Sequence, residues 1–143
     1  MSANANGRKS IFITGAASGI GLASAKKFAA DGWFVGLSDI DVVGLKAALE
    51  AIGPANGATY RLDVRDREAW DNALGEFGRL TDGKLDALLN NAGIARFGAL
   101  EELSEADCDL QIDINIRGVI HGARAGLPLL KAGRGRLINV ASC

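Results

Sequence analysis

The sequence is poor in the residues that build disulfide frameworks and metal sites. Its 143 residues include two cysteines and one histidine. Two cysteines are too few for a disulfide framework, and no metal-ligand spacing surrounds Cys108 or Cys143. We therefore expect two free thiols and no metal site. His121 lies in a predicted helix without an evident carboxylate or serine partner, so we expect it to be structural.

Long runs of one charge and long apolar runs are also missing. Sixteen Lys and Arg residues oppose seventeen Asp and Glu residues, which gives a net charge of −1 and no electrostatic footprint for nucleic acid. No stretch approaches the roughly 18 apolar residues of a membrane-spanning helix, and the polar segment 1–9 lacks the features of a signal peptide. We expect a cytoplasmic protein with neither a membrane nor a nucleic-acid partner.

Short apolar runs alternate with longer stretches of helical period, which is typical of parallel βαβ units in an α/β fold. With 48% hydrophobic residues the chain can bury one core. We expect a flexible tail at 1–9 and one domain at 10–143. The predicted strands are 10–14, 33–38, 58–62, 85–90 and 136–141, and the predicted helices lie near 19–31, 41–52, 66–79 and 104–131.

The last predicted helix has two apolar lines, so more than one of its faces requires burial. We expect one line to cover the sheet and the other to need a partner. A larger protein around the helix and a helix from a second subunit explain this equally well. The lines are Ile112, Ile116, Val119, Ala123, Leu127 and Leu110, Ile114, Gly118, Ala125.

A glycine-rich segment joins the first predicted strand to the first helix. Glycine allows a sharp turn and a close approach of backbone N–H groups to a ligand, and the helix N-terminus adds partial positive charge. This arrangement predicts a pyrophosphate site, and a tight turn without a ligand is the alternative. The candidate residues are Thr14, Gly15, Ala17, Ser18, Gly19, Ile20 and Gly21.

Asp39 ends the second predicted strand, where a carboxylate would meet the ribose hydroxyls of a dinucleotide and repel a 2′-phosphate. The alternative is that Asp39 caps the next helix, but Asp41 is better placed for capping. Neither Ser18 nor Ile40 is the cation that a 2′-phosphate requires. We predict that NAD(H) is preferred over NADP(H).

Further motifs follow in order along the chain. They are Asp63-Val64, Asn90-Asn91-Ala92-Gly93, Asn115 and Asn139-Val-Ala-Ser142. Together with the glycine-rich segment, this series resembles the classical short-chain dehydrogenase/reductase family. The resemblance and right-handed crossovers imply a doubly wound Rossmann fold with strand order 3-2-1-4-5, incomplete at its C-terminus.

The resemblance implies a role for each motif. Asp63 should accept a hydrogen bond from the adenine amino group while Val64 lines the pocket, although a surface Asp in a turn is the alternative. The segment Asn90, Asn91, Ala92 and Gly93 should support the sheet and pass close to the ribose, or form a plain Asn/Gly turn. These roles are implied by the resemblance at the positions where this sequence matches the family motifs.

Two catalytic residues are implied in the same way. A helix interior is unfavourable for Asn, so Asn115 requires an explanation. The resemblance implies that Asn115 holds water in a proton relay, and a polar position on a solvated face is the alternative. Ser142 should hydrogen-bond the substrate oxygen, although a lone Ser at a strand end is usually structural. Both assignments rest on the family resemblance and on the order of the motifs.

The family also uses a Tyr-x-x-x-Lys pair, which the resemblance places beyond Ser142 and which this sequence does not contain. The single tyrosine, Tyr60, lies in the third strand and cannot replace it. We predict negligible turnover by the 143-residue chain itself. A fragment of an enzyme, a non-catalytic dinucleotide-binding or sensing module, and a chain given without its other half are three open explanations.

For the complete protein the resemblance implies NAD(H)-dependent oxidation of an alcohol or reduction of a carbonyl. The implied substrate is a small molecule of unspecified identity. A homo-oligomer, dimer or tetramer, is implied for the full-length form.

Overall fold

A single parallel sheet organises the computed structural model, which describes residues 3–142. Its strands lie in the order β3-β2-β1-β4-β5, which confirms the predicted doubly wound α/β fold. The strands are β1 Ser10–Thr14, β2 Phe34–Asp39, β3 Gly57–Arg61, β4 Ala87–Asn90 and β5 Arg136–Asn139.

Helices connect the strands and cover both faces of the sheet. They are α1 Gly19–Ala30, α2 Val42–Ile52, α3 Arg67–Leu80, α4 Glu105–Ile112 and α5 Gly118–Gly133, with a short 3₁₀ turn at Pro54–Asn56. A π-helical turn at Asp113–Arg117 separates α4 from α5, so the helix predicted near 104–131 is present but is interrupted by this turn. Within residues 3–142, no helix combines the length and the apolarity needed to cross a membrane.

Two apolar clusters lie on opposite faces of the sheet because successive side chains of a strand point to opposite sides. On one face, Phe12 packs with Trp70 and Phe77 of α3. On the other face, Ile11 and Ile13 pack against α1 and α2. All five β1 residues are therefore buried, as expected for a parallel sheet covered on both sides.

Helix α5 packs closely because its buried face carries glycine. Gly118, Gly122 and Gly126 are buried along this face, and a Cβ on Gly122 would lie 2.6 Å from the Trp70 ring. In the predicted line that contains Ile112 and Ile116, these two residues are 44% and 54% exposed. In the other predicted line, Ile114 and Ala125 pack against the core cluster that contains Phe12 and Trp70, and Gly118 lies against Val64.

Residues 3–9, expected as a flexible tail, form no helix or strand but contact the domain. Ala5 is buried, and its N–H donates to the Leu80 carbonyl at 2.8 Å. The Arg8 guanidinium donates to the Ala55 carbonyl at 2.9 Å and lies over the Phe34 ring. These contacts connect the segment to β2, α3 and the turn before β3.

Candidate functional site

A cleft of about 400 Å³ opens where the strands end and the connecting loops begin. Ligands bind in this position in open α/β sheets because the loops there diverge. The predicted residues in its lining are Thr14, Gly15, Ser18, Gly19, Ile20, Asp39, Asp63, Val64, Asn91, Ala92 and Gly93. The lining also contains residues that were not predicted as site residues from the sequence, namely Ser38, Ile40, Leu62, Arg65, Ile94 and Ile114.

The glycine-rich segment turns sharply and lies against the loop after β4. Gly15 and Gly19 adopt φ angles of +66° and +55°, which favour glycine. A Cβ on Gly15 would lie 3.1 Å from the Ala92 Cα, and a Cβ on Gly21 would overlap the Gly15 carbonyl oxygen. The space beside Gly19 is open, with no atom within 4 Å of an added Cβ.

The N-terminus of α1 differs from those of α2, α3 and α4. Asp41, Asp66 and Ser104 cap α2, α3 and α4 through side-chain hydrogen bonds. Ser18 occupies the equivalent position of α1 but makes no capping bond to residues 3–142. The first N–H groups of α1 therefore remain available beside the cleft, together with the positive end of the helix dipole.

Asp39 supports the glycine-rich segment from the end of β2. Its Oδ2 accepts a hydrogen bond from the Ala17 N–H at 3.1 Å, and its Oδ1 accepts one from the Asp41 N–H at 3.1 Å. Asp41 caps α2 through the Gly44 N–H at 2.9 Å. Asp41 is thus the cap of α2, as expected, and Asp39 positions Ala17, which is not in the cleft lining.

The loop after β4 is fixed to β1 through Thr14. The buried Thr14 Oγ1 accepts hydrogen bonds from the Asn91 N–H at 3.0 Å and from the Ala92 N–H at 2.9 Å. The Asn91 amide in turn donates to the Thr14 carbonyl at 3.1 Å. These bonds hold Asn91 and Ala92 against Gly15.

Asn90 is buried outside the cleft lining and serves the sheet. Its Nδ2 donates to the Asn139 Oδ1 at 3.1 Å and to the Val119 carbonyl at 3.3 Å. Its carbonyl accepts from the Val140 N–H at 3.0 Å. Asn90 therefore connects β4 with β5 and α5.

Asn115 occupies the middle of the π-helical turn and forms two hydrogen bonds with the backbone of Ile94. Its Oδ1 accepts from the Ile94 N–H at 2.9 Å, and its Nδ2 donates to the Ile94 carbonyl at 2.7 Å. The unfavourable position of this Asn inside a helix is explained by the two bonds, which brace the loop after Gly93. Asn115 itself is not in the cleft lining.

Ser142 lies beyond the end of β5 and is exposed. It is absent from the cleft lining. Tyr60 is buried against Phe12 and Phe77, and burial raises the pKa of its hydroxyl well above the ordinary value. Tyr60 therefore belongs to the core, away from the cleft.

Asp63 and Arg65 form an ion pair in the cleft lining. Asp63 Oδ2 lies 2.7 Å from the Arg65 Nη2, and Asp63 Oδ1 lies 3.0 Å from the Arg65 Nε. The hydrogen-bonded Arg65 side chain holds the pKa of the Asp63 carboxyl below its ordinary value, against the opposing effect of burial. Arg65 directly follows the Asp63-Val64 motif in the sequence, but this position does not predict that its side chain returns to Asp63.

Metal-ligating side chains are not clustered in the part of the chain that the structure describes. Cys108, half-buried in α4, is a free thiol, as expected. Cys143, for which the same prediction was made, lies outside the described residues.

The glycine-rich turn, the uncapped start of α1 and the two acids at the strand ends lie together at one cleft. A family described as short chain dehydrogenase matches residues 9–143. The chain belongs to this short-chain dehydrogenase family. Among relatives, it is 39% identical over 136 residues to the oxidoreductase UcpA of Salmonella typhimurium, covering 94% of this chain and 51% of that protein.

The chain is also similar to other short-chain dehydrogenases, in sequence and in structure. LinX of Sphingobium indicum, a 2,5-dichloro-2,5-cyclohexadiene-1,4-diol dehydrogenase, is 37% identical over 147 residues, covering 98% of this chain and 57% of LinX. A Burkholderia phymatum short-chain dehydrogenase/reductase solved in complex with NAD superposes with a TM-score of 0.88 at 31% identity, covering 94% of this chain and 49% of that chain. The chain thus spans about half the length of the relatives it matches.

Proposed function

We propose that this chain binds NAD(H) in the cleft and supplies the cofactor-binding part of a short-chain oxidoreductase. The observation that carries the proposal is the convergence of the glycine-rich turn, Asp39, Asp63 and the loop after β4 on one cavity. Membership of the family and the NAD named with the Burkholderia phymatum structure support the nicotinamide dinucleotide.

The residues present fit such a cofactor. A pyrophosphate requires N–H donors and space, and both occur at the uncapped start of α1 beside Gly19. An adenine requires an apolar wall with one acceptor, which Val64 and Asp63 offer. Small residues at Ala92 and Gly93 leave room for the ribose on the nicotinamide side.

Asp39 supports a preference for NAD(H) over NADP(H). Its carboxylate lines the cleft at the end of β2, where it would accept hydrogen bonds from ribose hydroxyls and repel a 2′-phosphate. The neighbouring cleft residues Ser18 and Ile40 offer no positive charge to a phosphate.

Calorimetric titration of the 143-residue chain with NADH and NADPH tests the proposal. We expect NADH to bind more tightly, and we expect Asp39→Asn to reduce the ratio of the two affinities by about tenfold or more because the repelling charge is removed. Asn can still accept one of the two backbone hydrogen bonds that Asp39 accepts.

Asp41→Asn is the matched control, because it removes the same charge two residues away and Asn caps helices as well as Asp does. It should leave the ratio unchanged. Tighter binding of NADPH to the unmodified chain would contradict the NAD preference, and absence of binding by a folded chain would contradict the cofactor site.

In the complete protein, we propose reversible oxidation of an alcohol to a carbonyl. The bound nicotinamide would accept or supply the hydride. Ser142 would hydrogen-bond the substrate oxygen, and Asn115, which holds Ile94 in place, would support the proton relay. A small alcohol or carbonyl is the proposed substrate class, as the diol in the name of LinX suggests.

Further expectations from the sequence also stay predictions. We expect negligible turnover by the 143-residue chain itself and a small-molecule substrate for the complete protein. We also expect a homo-oligomeric full-length form and a cytoplasmic location.

A further inference from the structure

The loop that follows Gly93 has little regular structure of its own. Residues 95–102 are exposed, and the segment 91–104 forms no helix or strand. The backbone of residues 94–98 makes no hydrogen bond to another backbone group within residues 3–142. Ile94 nevertheless lines the cleft, so other contacts must hold it there.

Two side-chain amides bind alternate residues of this loop. The Asn115 amide makes both of its hydrogen bonds with Ile94, and the Gln111 Oε1 accepts one from the Arg96 N–H at 2.9 Å. Residues four apart lie on one face of a helix, separated by about 6 Å along its axis, and two residues of an extended chain span about 6.6 Å. Gln111 and Asn115 therefore match the spacing of Arg96 and Ile94.

Asp107 orients the amide of Gln111 and contacts the Arg96 side chain. The Asp107 carbonyl accepts a hydrogen bond from the Gln111 Nε2 at 3.3 Å, and its Oδ1 lies 3.5 Å from the Arg96 Nε. The Asp107 Oδ2 accepts one from the Ser104 hydroxyl at 2.8 Å. The oxygen of the Gln111 amide is thus directed at the Arg96 N–H, because its nitrogen is bound on the other side.

The bond between Gln111 and Arg96 adds a second point of attachment for the loop. Both bonds of Asn115 go to Ile94, so Asn115 alone fixes the exposed loop at one residue. A chain fixed at one residue can still rotate about it. Fixing Arg96 two residues further on sets the direction of the chain, and the side chain of Ile94 is then held at the cleft wall.

We propose that Gln111 is a positioning residue for the dinucleotide cleft. It is not in the cleft lining and acts through the Arg96 N–H on the segment that carries Ile94. This inference rests on the proposed NAD(H) site and deepens it. A wall held in its binding conformation gives a higher affinity than a wall that adopts this conformation only part of the time.

Titration of the 143-residue chain and its Gln111 variants with NADH tests this role. Gln111→Met keeps the length of the side chain but lacks the acceptor, and it should weaken NADH binding by about fivefold, the net effect of one hydrogen bond. Gln111→Ala lacks the acceptor as well and should behave in the same way. Gln111→Glu keeps an acceptor for the Arg96 N–H, so its affinity should stay within about twofold of the unmodified chain.

Hydrogen exchange at the Arg96 N–H gives a readout that does not depend on the cofactor. It should become faster in Gln111→Met and stay slow in Gln111→Glu. Asn72→Met is the matched control, because Asn72 is an exposed amide of α3 outside the cleft lining. This control should change neither the NADH affinity nor the exchange at Arg96, and urea denaturation verifies that each variant is folded.

Two results would overturn the role of Gln111 while leaving the NAD(H) site intact. One is an NADH affinity of Gln111→Met within about twofold of the unmodified chain. The other is an equal loss in Gln111→Met and Gln111→Glu, which would show that the bond to the Arg96 N–H is not the cause. If the folded, unmodified chain does not bind NADH, the proposed function fails. Slow exchange at Arg96 in Gln111→Met would by itself show that Gln111 does not hold the loop.

Discussion

Thr14 joins two walls of the cleft through one hydroxyl group. It ends β1 and is 2% exposed, and its Oγ1 accepts from two successive N–H groups of the loop after β4. A backbone N–H that loses its partner away from water costs free energy. The residue that appears in the sequence as part of a phosphate motif therefore also fixes the opposite wall.

At this position, Thr14→Val should lower the free energy of unfolding by about 1–3 kcal/mol, because valine keeps the shape but cannot accept the two hydrogen bonds. Hydrogen exchange at Asn91 and Ala92 should become faster in this variant. Thr14→Ser retains the hydroxyl and should leave that exchange slow. Unchanged exchange in Thr14→Val would show that the hydroxyl does not hold the loop.

Several site residues were readable from the sequence because their chemistry depends on local spacing. The glycine-rich segment falls into this class, as does Asp39 once Asp41 is recognised as the better cap, whereas Asp63 was expected only from the family resemblance. Arg65 was missed because a cation in a turn has no periodic signal. Its significance depends on the side chain returning to Asp63, which only the folded geometry shows.

At the scale of elements, α5 buries small residues where an apolar line was expected. Gly118, Gly122 and Gly126 recur every four residues on its packed face. The close approach of α5 to the Trp70 ring requires Gly122, while Gly118 and Gly126 lie against Val64 and Leu88. Periodicity of large apolar residues does not reveal such a face. The π-helical turn was equally hidden, because it accompanies the tertiary bonds between Asn115 and Ile94.

Two glycine substitutions in helices should therefore have opposite effects. Gly122→Ala should lower the free energy of unfolding by about 1–3 kcal/mol through overpacking, since the new Cβ would lie 2.5 Å from Asn90 Oδ1. Gly75→Ala, in the exposed middle of α3 with nothing within 4 Å, should raise it by about 0.5–1 kcal/mol. Urea denaturation measures both, and destabilisation by both would contradict the packing argument.

The strand order was the most predictable property of the whole molecule. Short, continuously apolar runs indicated buried parallel strands, and the handedness of crossovers restricted their order. The two edges of the sheet differ, however. The β3 edge exposes Thr59 and Arg61, whereas Leu137 and Ile138 of the β5 edge are each 41% exposed.

An apolar edge strand favours pairing with another chain, so the 143-residue chain should self-associate through β5 as its concentration rises. Sedimentation velocity should detect this association, and Ile138→Lys should shift the chain toward the monomer. Thr59→Lys places the same charge on the other edge and should have little effect. Equal behaviour of the two variants would exclude β5 as the contact.

The loop after β4 is fastened from two sides, by Thr14 of β1 and by Asn115 of the π-helical turn. These partners are 77 and 21 residues distant in sequence from the residues they hold, so the wall exists only once the domain has assembled. A nucleotide that needs this wall therefore binds the folded domain and not the unfolded chain. At a concentration of about 100 times its dissociation constant, it would add about 2.7 kcal/mol to the free energy of unfolding, and a filled cleft would protect the chain from proteolysis.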